Sequence, residues 1–194
     1  SSETVSSQPI ECPLCSDIQI GESLVDHYRR CPRCQIEFID KPIVSGAVTN
    51  EYPEPPTLRG TVLARRQWKL ANKWRADRRL VDIGCGTGQF LKVASQAVPL
   101  GFAYGVEIDA TSLIVACSAG LAVSEEIPLS DQPTLFTMWH SAEHFPVTEL
   151  ISLFRSVNNH SEHRLLISIP NSDSTALARY GTKAAFSDPE HHHT

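Results

Sequence analysis

From residue 80 onward, short apolar runs alternate with stretches of helical spacing, and turns rich in glycine, proline or polar residues separate them. Residues 80–83, 102–108, 121–123, 134–139 and 164–169 read as strands, and segments near 89–97, 111–119 and 147–157 read as helices. Strands this apolar, each followed by a helix, are expected to form a parallel sheet covered by helices on both faces, an α/β architecture. Ahead of them, residues 58–79 contain no proline, and Leu63, Trp68, Ala71 and Trp74 recur at intervals of three to five among basic residues. That spacing predicts an amphipathic helix whose apolar stripe, both tryptophans included, packs on the domain that follows.

The first 57 residues follow a different pattern. Residues 1–10 are polar, rich in serine and without periodicity, as in a disordered terminus. Residues 11–40 carry two Cys-Pro-x-Cys turns around short apolar stretches, with Ile36 and Phe38 alternating against polar neighbours as on a half-exposed strand. Four prolines mark residues 41–57 as a linker. The remaining residues, 58–194, form the larger domain.

Composition narrows the class. With 41% apolar and 20% charged residues in 194, the chain has the balance of a soluble globular protein, and no run approaches the roughly 20 apolar residues of a membrane span. The start lacks the basic flank and apolar centre of a secretory signal, so an intracellular location is expected, cytoplasmic or organellar with mitochondria included, and no membrane partner. A net charge of −5 excludes a protein that coats nucleic acid generally, yet residues 57–80 hold eight Lys or Arg against the single acid Asp77. Arg65, Arg66, Lys69, Lys73, Arg75, Arg78 and Arg79 are therefore either a solvated face or a surface for RNA or a ribonucleoprotein.

Cys12, Cys15, Cys31 and Cys34 are spaced as C-x2-C-x15-C-x2-C, which suits four thiolates around one tetrahedral zinc ion. Four protein ligands leave no open position, so such an ion is structural. Cys85 and Cys117 stand apart from this set and read as small buried apolar residues.

In VDIGCGTGQF an apolar strand runs into Gly84, Gly86 and Gly88 and then into a helix. Glycines there let the backbone turn sharply or approach a ligand, and the helix start offers free N–H donors. Glu107 ends the next strand, 19 residues beyond Gly88, where an acid accepts hydrogen bonds from both hydroxyls of a ribose.

These residues resemble class I S-adenosylmethionine-dependent methyltransferases, in particular those with an N-terminal zinc ribbon. Asp82 to Leu91 match the family's D-x-G-C-G-T-G-x-F-L motif, and Trp139, His140, Glu143 and His144 match its W-H-x-x-E-H stretch. Ser168, Pro170 and Asn171 match S-x-P-N, and Pro189, Glu190 and His191 match a later P-E-H. The resemblance implies a Rossmann-like sheet preceded by a small zinc-ribbon module, with S-adenosylmethionine held by Asp82, Gly84, Cys85, Gly86, Gly88, Glu107, Glu125 and Trp139. Asp82 would face the cofactor's amino-acid end, and Ser124, Glu125 or Glu126 would meet the adenine. The family fold closes with two further strands, and a chain stopping at Thr194 is expected to lack them.

His140 to His144 also spell the H-x-x-E-H of a metalloprotease helix, but they follow the strand TLFTMW and belong at its carboxyl end, so protease chemistry is excluded. At that edge a histidine accepts the proton of a hydroxyl while the methyl group transfers. His144 is the first choice of base and His140 the second, with Glu143 orienting; the alternative is that Glu143 and His144 merely cap the next helix. Resemblance to carbohydrate-pathway enzymes implies a small, sugar-like, hydroxyl-bearing methyl acceptor. The second reading is an RNA-associated methyltransferase, or an inactive relative serving as a scaffold in a ribonucleoprotein.

Overall fold

The computed structural model describes residues 10–12, 14–22, 28–39, 58–128, 130–171, 174, 175 and 179. The expected terminus, the linker and the Pro189-Glu190-His191 segment lie outside the described residues. The chain divides into two compact units: Val48–Ile169 contains the larger sheet, and the other contains the cysteine-bearing strands.

In the larger unit, helix α1 (Leu58–Arg75) leads into β4 (Arg79–Ile83), α2 (Gln89–Ser95), β5 (Ala103–Val106), α3 (Ala110–Ser118) and β6 (Val123–Ser124). There follow β7 (Thr134–Trp139), a 3-10 turn (Ala142–His144), α4 (Val147–Asn158) and β8 (Arg164–Ser168). The strands form one parallel sheet in the order β6-β5-β4-β7-β8. The chain moves outward from β4 to β6, then returns to lay β7 against the other side of β4. That reversal opens a crevice at the carboxyl ends of β4 and β7, the place where open α/β sheets bind ligands.

Because side chains alternate along a strand, the sheet has two cores. Leu80 and Leu135 pack with Phe90, Leu91 and Ala94 of α2 and with Ala64 and Ala71 of α1. Val81, Ile83, Phe136 and Met138 pack with Leu153 and Val157 of α4. Leu80, Ile83, Leu91, Leu135 and Met138 are each under 2% exposed, and full burial of such a side chain contributes about 1.5–3 kcal/mol. Helices therefore cover both faces, as the apolar strands predict.

Two features of α1 differ from the sequence reading. The helix stops at Arg75 because Ala76 and Asp77 take positive φ, 44° and 67°, and Arg79 already belongs to β4. Its packed stripe is Ala64, Trp68 and Ala71, whose small alanines allow close approach, whereas Leu63 and Trp74 fall outside that stripe and are 50% and 54% exposed. Lys73 Nζ lies 5.6 Å from the Trp74 ring centre. Among the described residues no helix is long and apolar enough to cross a membrane.

The smaller unit is an antiparallel sheet of β1 (Gly21–Glu22), β2 (Tyr28–Arg30) and β3 (Glu37–Ile39). Its two cysteine turns share one shape. Cys12 N–H donates to Asp17 C=O and Ser16 N–H to Cys12 C=O, while Cys31 N–H donates to Ile36 C=O and Gln35 N–H to Cys31 C=O, all at 2.8–2.9 Å. Ser16 and Gln35, each just after the second cysteine of its turn, have φ of 57° and 62°. Across the turns Cys12 Sγ lies 3.6 Å from Cys34 Sγ and Cys15 Sγ 3.5 Å from Cys31 Sγ, and the four sulfurs are all within 4.8 Å of one another. A disulfide would need about 2.05 Å, so these are free thiols. A zinc ion with Zn–S bonds of about 2.3 Å spaces tetrahedral sulfurs about 3.8 Å apart, and this set fits it. Burial acts to raise the Cys31 thiol, but the N–H groups of Cys34 and Arg33 together with the thiols of Cys15 and Cys34 lower it to about 7, while Cys31 in turn raises the Cys15 thiol.

Metal analysis of the intact chain is expected to find about one zinc per chain, and Cys34→Ser should reduce it to background. Purified wild-type protein that neither carries nor takes up zinc would contradict a zinc module.

Candidate functional site

The crevice is built from the turn that leaves β4. Gly84 N–H and Cys85 N–H both donate to Val106 C=O, at 2.8 and 3.0 Å, so the turn is pinned to the end of β5. Gly88 N–H returns to Cys85 C=O at 3.0 Å, and Lys92 N–H donates to Gly88 C=O at 2.8 Å as α2 begins. Gly84, Gly86 and Gly88 have φ of 71°, 54° and 82°, a region that favours glycine. A Cβ on Gly84 would overlap Ser141, and one on Gly88 would overlap Leu121. A Cβ on Gly86 would meet nothing within 4 Å. Side chains at two of the glycines would collide with their neighbours, and at the middle one a Cβ would meet open space.

Glu107, just beyond β5, reaches back to this turn. Its Oε2 accepts from Gly86 N–H at 2.7 Å, and its Oε1 accepts from the N–H groups of Ile108 and Asp109 at 2.9 Å each. Asp109 caps α3 by accepting from Ser112 N–H at 2.7 Å. The acid and the glycine turn, 21 residues apart between Gly86 and Glu107, are thereby brought together. Glu125 is exposed immediately after β6.

Asp82 is 2% exposed and accepts from Thr137 Oγ1 at 2.7 Å. Burial raises its carboxyl to about 7 against the opposing hydrogen bond from Thr137, and the negative charge of Glu107 adds to the rise. Cys85 is also buried, and that burial, with Asp82 and Glu107 nearby, pushes its thiol well up, so it is no nucleophile.

Beyond β7 the chain turns sharply. His140 has a φ of 55°, and its N–H donates to Ser168 C=O at 2.8 Å. Ser141 is buried, and its hydroxyl donates to Ile83 C=O at 2.6 Å, binding this segment to the last residue of β4. The His140 ring is half exposed with Nδ1 3.8 Å from Glu143 Oε1, whereas Glu143 is largely buried and its Oε2 has no hydrogen-bond partner among the described residues. His144 is exposed. The Trp139 ring packs edge-on against Phe90 at 5.4 Å, with its Nε1 buried and unpaired among the described residues. Two grooves along α4, of about 210 and 410 Å³, lie away from the glycine turn.

Three supporting residues escaped the sequence reading. Thr137 and Ser141 are polar positions in or beside an apolar strand, a pattern that marks a buried partner only once β4 is known to be the neighbour. Gly105 lies inside β5, where a Cβ would crowd Cys85 Sγ at 2.7 Å and Leu91 Cδ2 at 2.8 Å. A glycine within a strand does signal close approach, and here it seats the turn and α2.

Comparison with known proteins agrees with this architecture. A protein-family model described as a methyltransferase domain matches residues 58–194. Among solved structures, a SAM-dependent methyltransferase from Archaeoglobus fulgidus has 23% identity over 68% of this chain and 61% of its own, with a TM-score of 0.50. The plantazolicin methyltransferase BpumL, solved with a desmethyl substrate analogue and SAH, has 18% identity over 69% of this chain and 56% of its own, with a TM-score of 0.48. The sugar N-methyltransferase KedS8 from a Streptoalloteichus species has 18% identity over 69% and 62%, with a TM-score of 0.42. The chain spans about half the length of the BpumL structures it matches. No curated protein matches it. With a five-stranded parallel sheet, a glycine turn at its reversal point and a family match over residues 58–194, the chain belongs to the class I S-adenosylmethionine-dependent methyltransferases.

Proposed function

We propose that the chain binds S-adenosylmethionine against Gly84–Gly88 and transfers its methyl group to a hydroxyl of a small, sugar-like acceptor. The observation that carries this is the open backbone at Gly86 with Glu107 bonded to it, in the crevice that His140–His144 border. In this reading Glu107 exchanges Gly86 N–H for ribose hydroxyls, Asp82 faces the amino-acid end, and Cys85 and Trp139 form walls. Glu125 lies towards the adenine. Residues 11–40 are read as a separate zinc module, with 41–57 as the linker.

When bound, the cofactor supplies a methyl group on a sulfonium, and the electron pair of the broken bond stays on sulfur. The chain has to hold the acceptor in line and take its proton as the new O–C bond forms. His140 suits the second task. Its Nδ1 is too far from Glu143 for a hydrogen bond, at 3.8 Å, but a ring that has gained a proton is attracted to that carboxylate. His144 is exposed as well; this reading takes His140 first and His144 second, the reverse of the order expected from the sequence.

Calorimetry is expected to show saturable binding of S-adenosylhomocysteine to the intact chain, lost on Glu107→Ala or Gly86→Arg. With an acceptor in hand, His140→Ala should lower turnover about 10²–10⁴-fold with product affinity unchanged. The same loss from His144→Ala alone would restore the original order, and wild-type protein that binds no product would refute the proposal.

A second reading, an RNA-associated methyltransferase or an inactive scaffold in a ribonucleoprotein, is supported by the outer face of α1. Arg59, Arg65, Arg66, Lys69 and Lys73 are exposed there, the helix contains no acid, and none of the five is in an ion pair among the described residues. Retention on RNA that weakens with salt and disappears on reversing Arg65, Arg66, Lys69 and Lys73 would support it. Absence of RNA binding even at low salt would remove it.

A further inference from the structure

Asp82 and Thr137 face each other in the β4–β7 register, directly beneath the glycine turn. Thr137 is fully buried and Asp82 nearly so, and the 2.7 Å bond between them is the single hydrogen bond of the Asp82 carboxyl among the described residues. Among those residues no cation acts on it. The other ionisable groups acting on the carboxyl are Glu107 and the protonated thiol of Cys85, while α1 and α2 pack apolar residues on this face, among them Ala64, Trp68, Ala71, Phe90, Leu91 and Ala94. A carboxylate in such surroundings has one hydroxyl to replace its water and a negative neighbour opposing it.

On the cofactor reading above, we infer that Thr137 is a positioning residue that sets the charge state of Asp82, so that capture of the cofactor's cationic amino end expels a proton from Asp82. The arrangement suits this role. A threonine hydroxyl donates to the carboxylate and accepts from the carboxylic acid, so the pair remains bonded in both states. The arriving ammonium supplies the missing counter-charge, and the ionised form then prevails. Burial already holds the carboxyl at about 7 in the free chain, so the exchange falls within the working range of pH.

The sign follows from linkage. A ligand that prefers ionised Asp82 binds more weakly wherever the free carboxyl is protonated, which is below about pH 7. Affinity for S-adenosylhomocysteine should therefore fall about tenfold per pH unit below 7. The cofactor's own amino group titrates near 8, so the Asp82 step is read on the acid side of about pH 7.5.

The test is calorimetry with S-adenosylhomocysteine from pH 6 to 8.5, each point in two buffers of different ionisation enthalpy, which counts protons exchanged. We expect release of about one proton per ligand at pH 6, falling as the pH passes 7. Asp82→Asn, which keeps the shape, should flatten the pH profile. Thr137→Val should move the break to higher pH and weaken binding several-fold at pH 7, with Thr137→Ser restoring it. Binding of constant affinity with no proton exchange overturns the inference and leaves the cofactor reading standing, and so does a Thr137→Val variant with the wild-type pH profile. No binding by wild type at any pH overturns both. The wild-type proton count requires no variant to fold.

Discussion

The pairing of β4 with β7 is the contact on which the rest of the larger unit depends. It joins strands 55 residues apart across the reversal in strand order, with Leu80, Val81 and Asp82 opposite Leu135, Phe136 and Thr137. The same register sends Leu80 and Leu135 to one core and Val81 and Phe136 to the other. It also fixes what lies at the carboxyl ends. Gly84 abuts Ser141 with no room for a side chain between them, and the Ser141 hydroxyl is bonded to Ile83. A slip of one residue would turn every side chain to the opposite face and separate the glycine turn from the histidine segment.

Polar groups in the crevice are held by backbone far more than by other side chains. Glu107 takes three N–H donors, and His140 is placed by its own N–H and a left-handed φ. Backbone donors move little when a ligand arrives, so they preorganise the site at small entropic cost. Among the described residues the buried side-chain atoms without a partner are Arg75 Nε, at the end of α1, and Glu143 Oε2 and Trp139 Nε1, beside the expected chemistry, where Asp82 too has a single hydroxyl. Buried polar atoms without partners cost stability, which in an enzyme fold commonly marks where a ligand completes the structure.

Much of this is legible in the sequence because the signals are local. Apolar runs reveal the five strands, G-x-G-x-G marks the turn, and the paired Cys-x-x-Cys spacing reports the sulfur cluster whose geometry fits zinc. The meeting of Glu107 with Gly86 is nearly local too, since one helix separates adjacent parallel strands. What the sequence hides is the partner across the reversal. Thr137 and Ser141 gain meaning only beside Asp82 and Ile83, and nothing in TLFTMWHS announces that neighbour. The outer surface of α1 is similarly hidden, because periodicity groups Leu63 and Trp74 with the apolar set while packing selects Ala64, Trp68 and Ala71.

The central claim, that the turn after β4 is the cofactor site, is tested most directly at the Gly86 amide. In the free chain this N–H donates to Glu107, and a ribose bound to Glu107 would take its place. Titration of isotope-labelled protein with S-adenosylhomocysteine, followed by amide NMR, should shift the Gly86 signal saturably, together with Gly84 and Ser141. A Gly86 signal that stays fixed at saturating ligand, or shifts confined to residues away from this turn, would contradict the account.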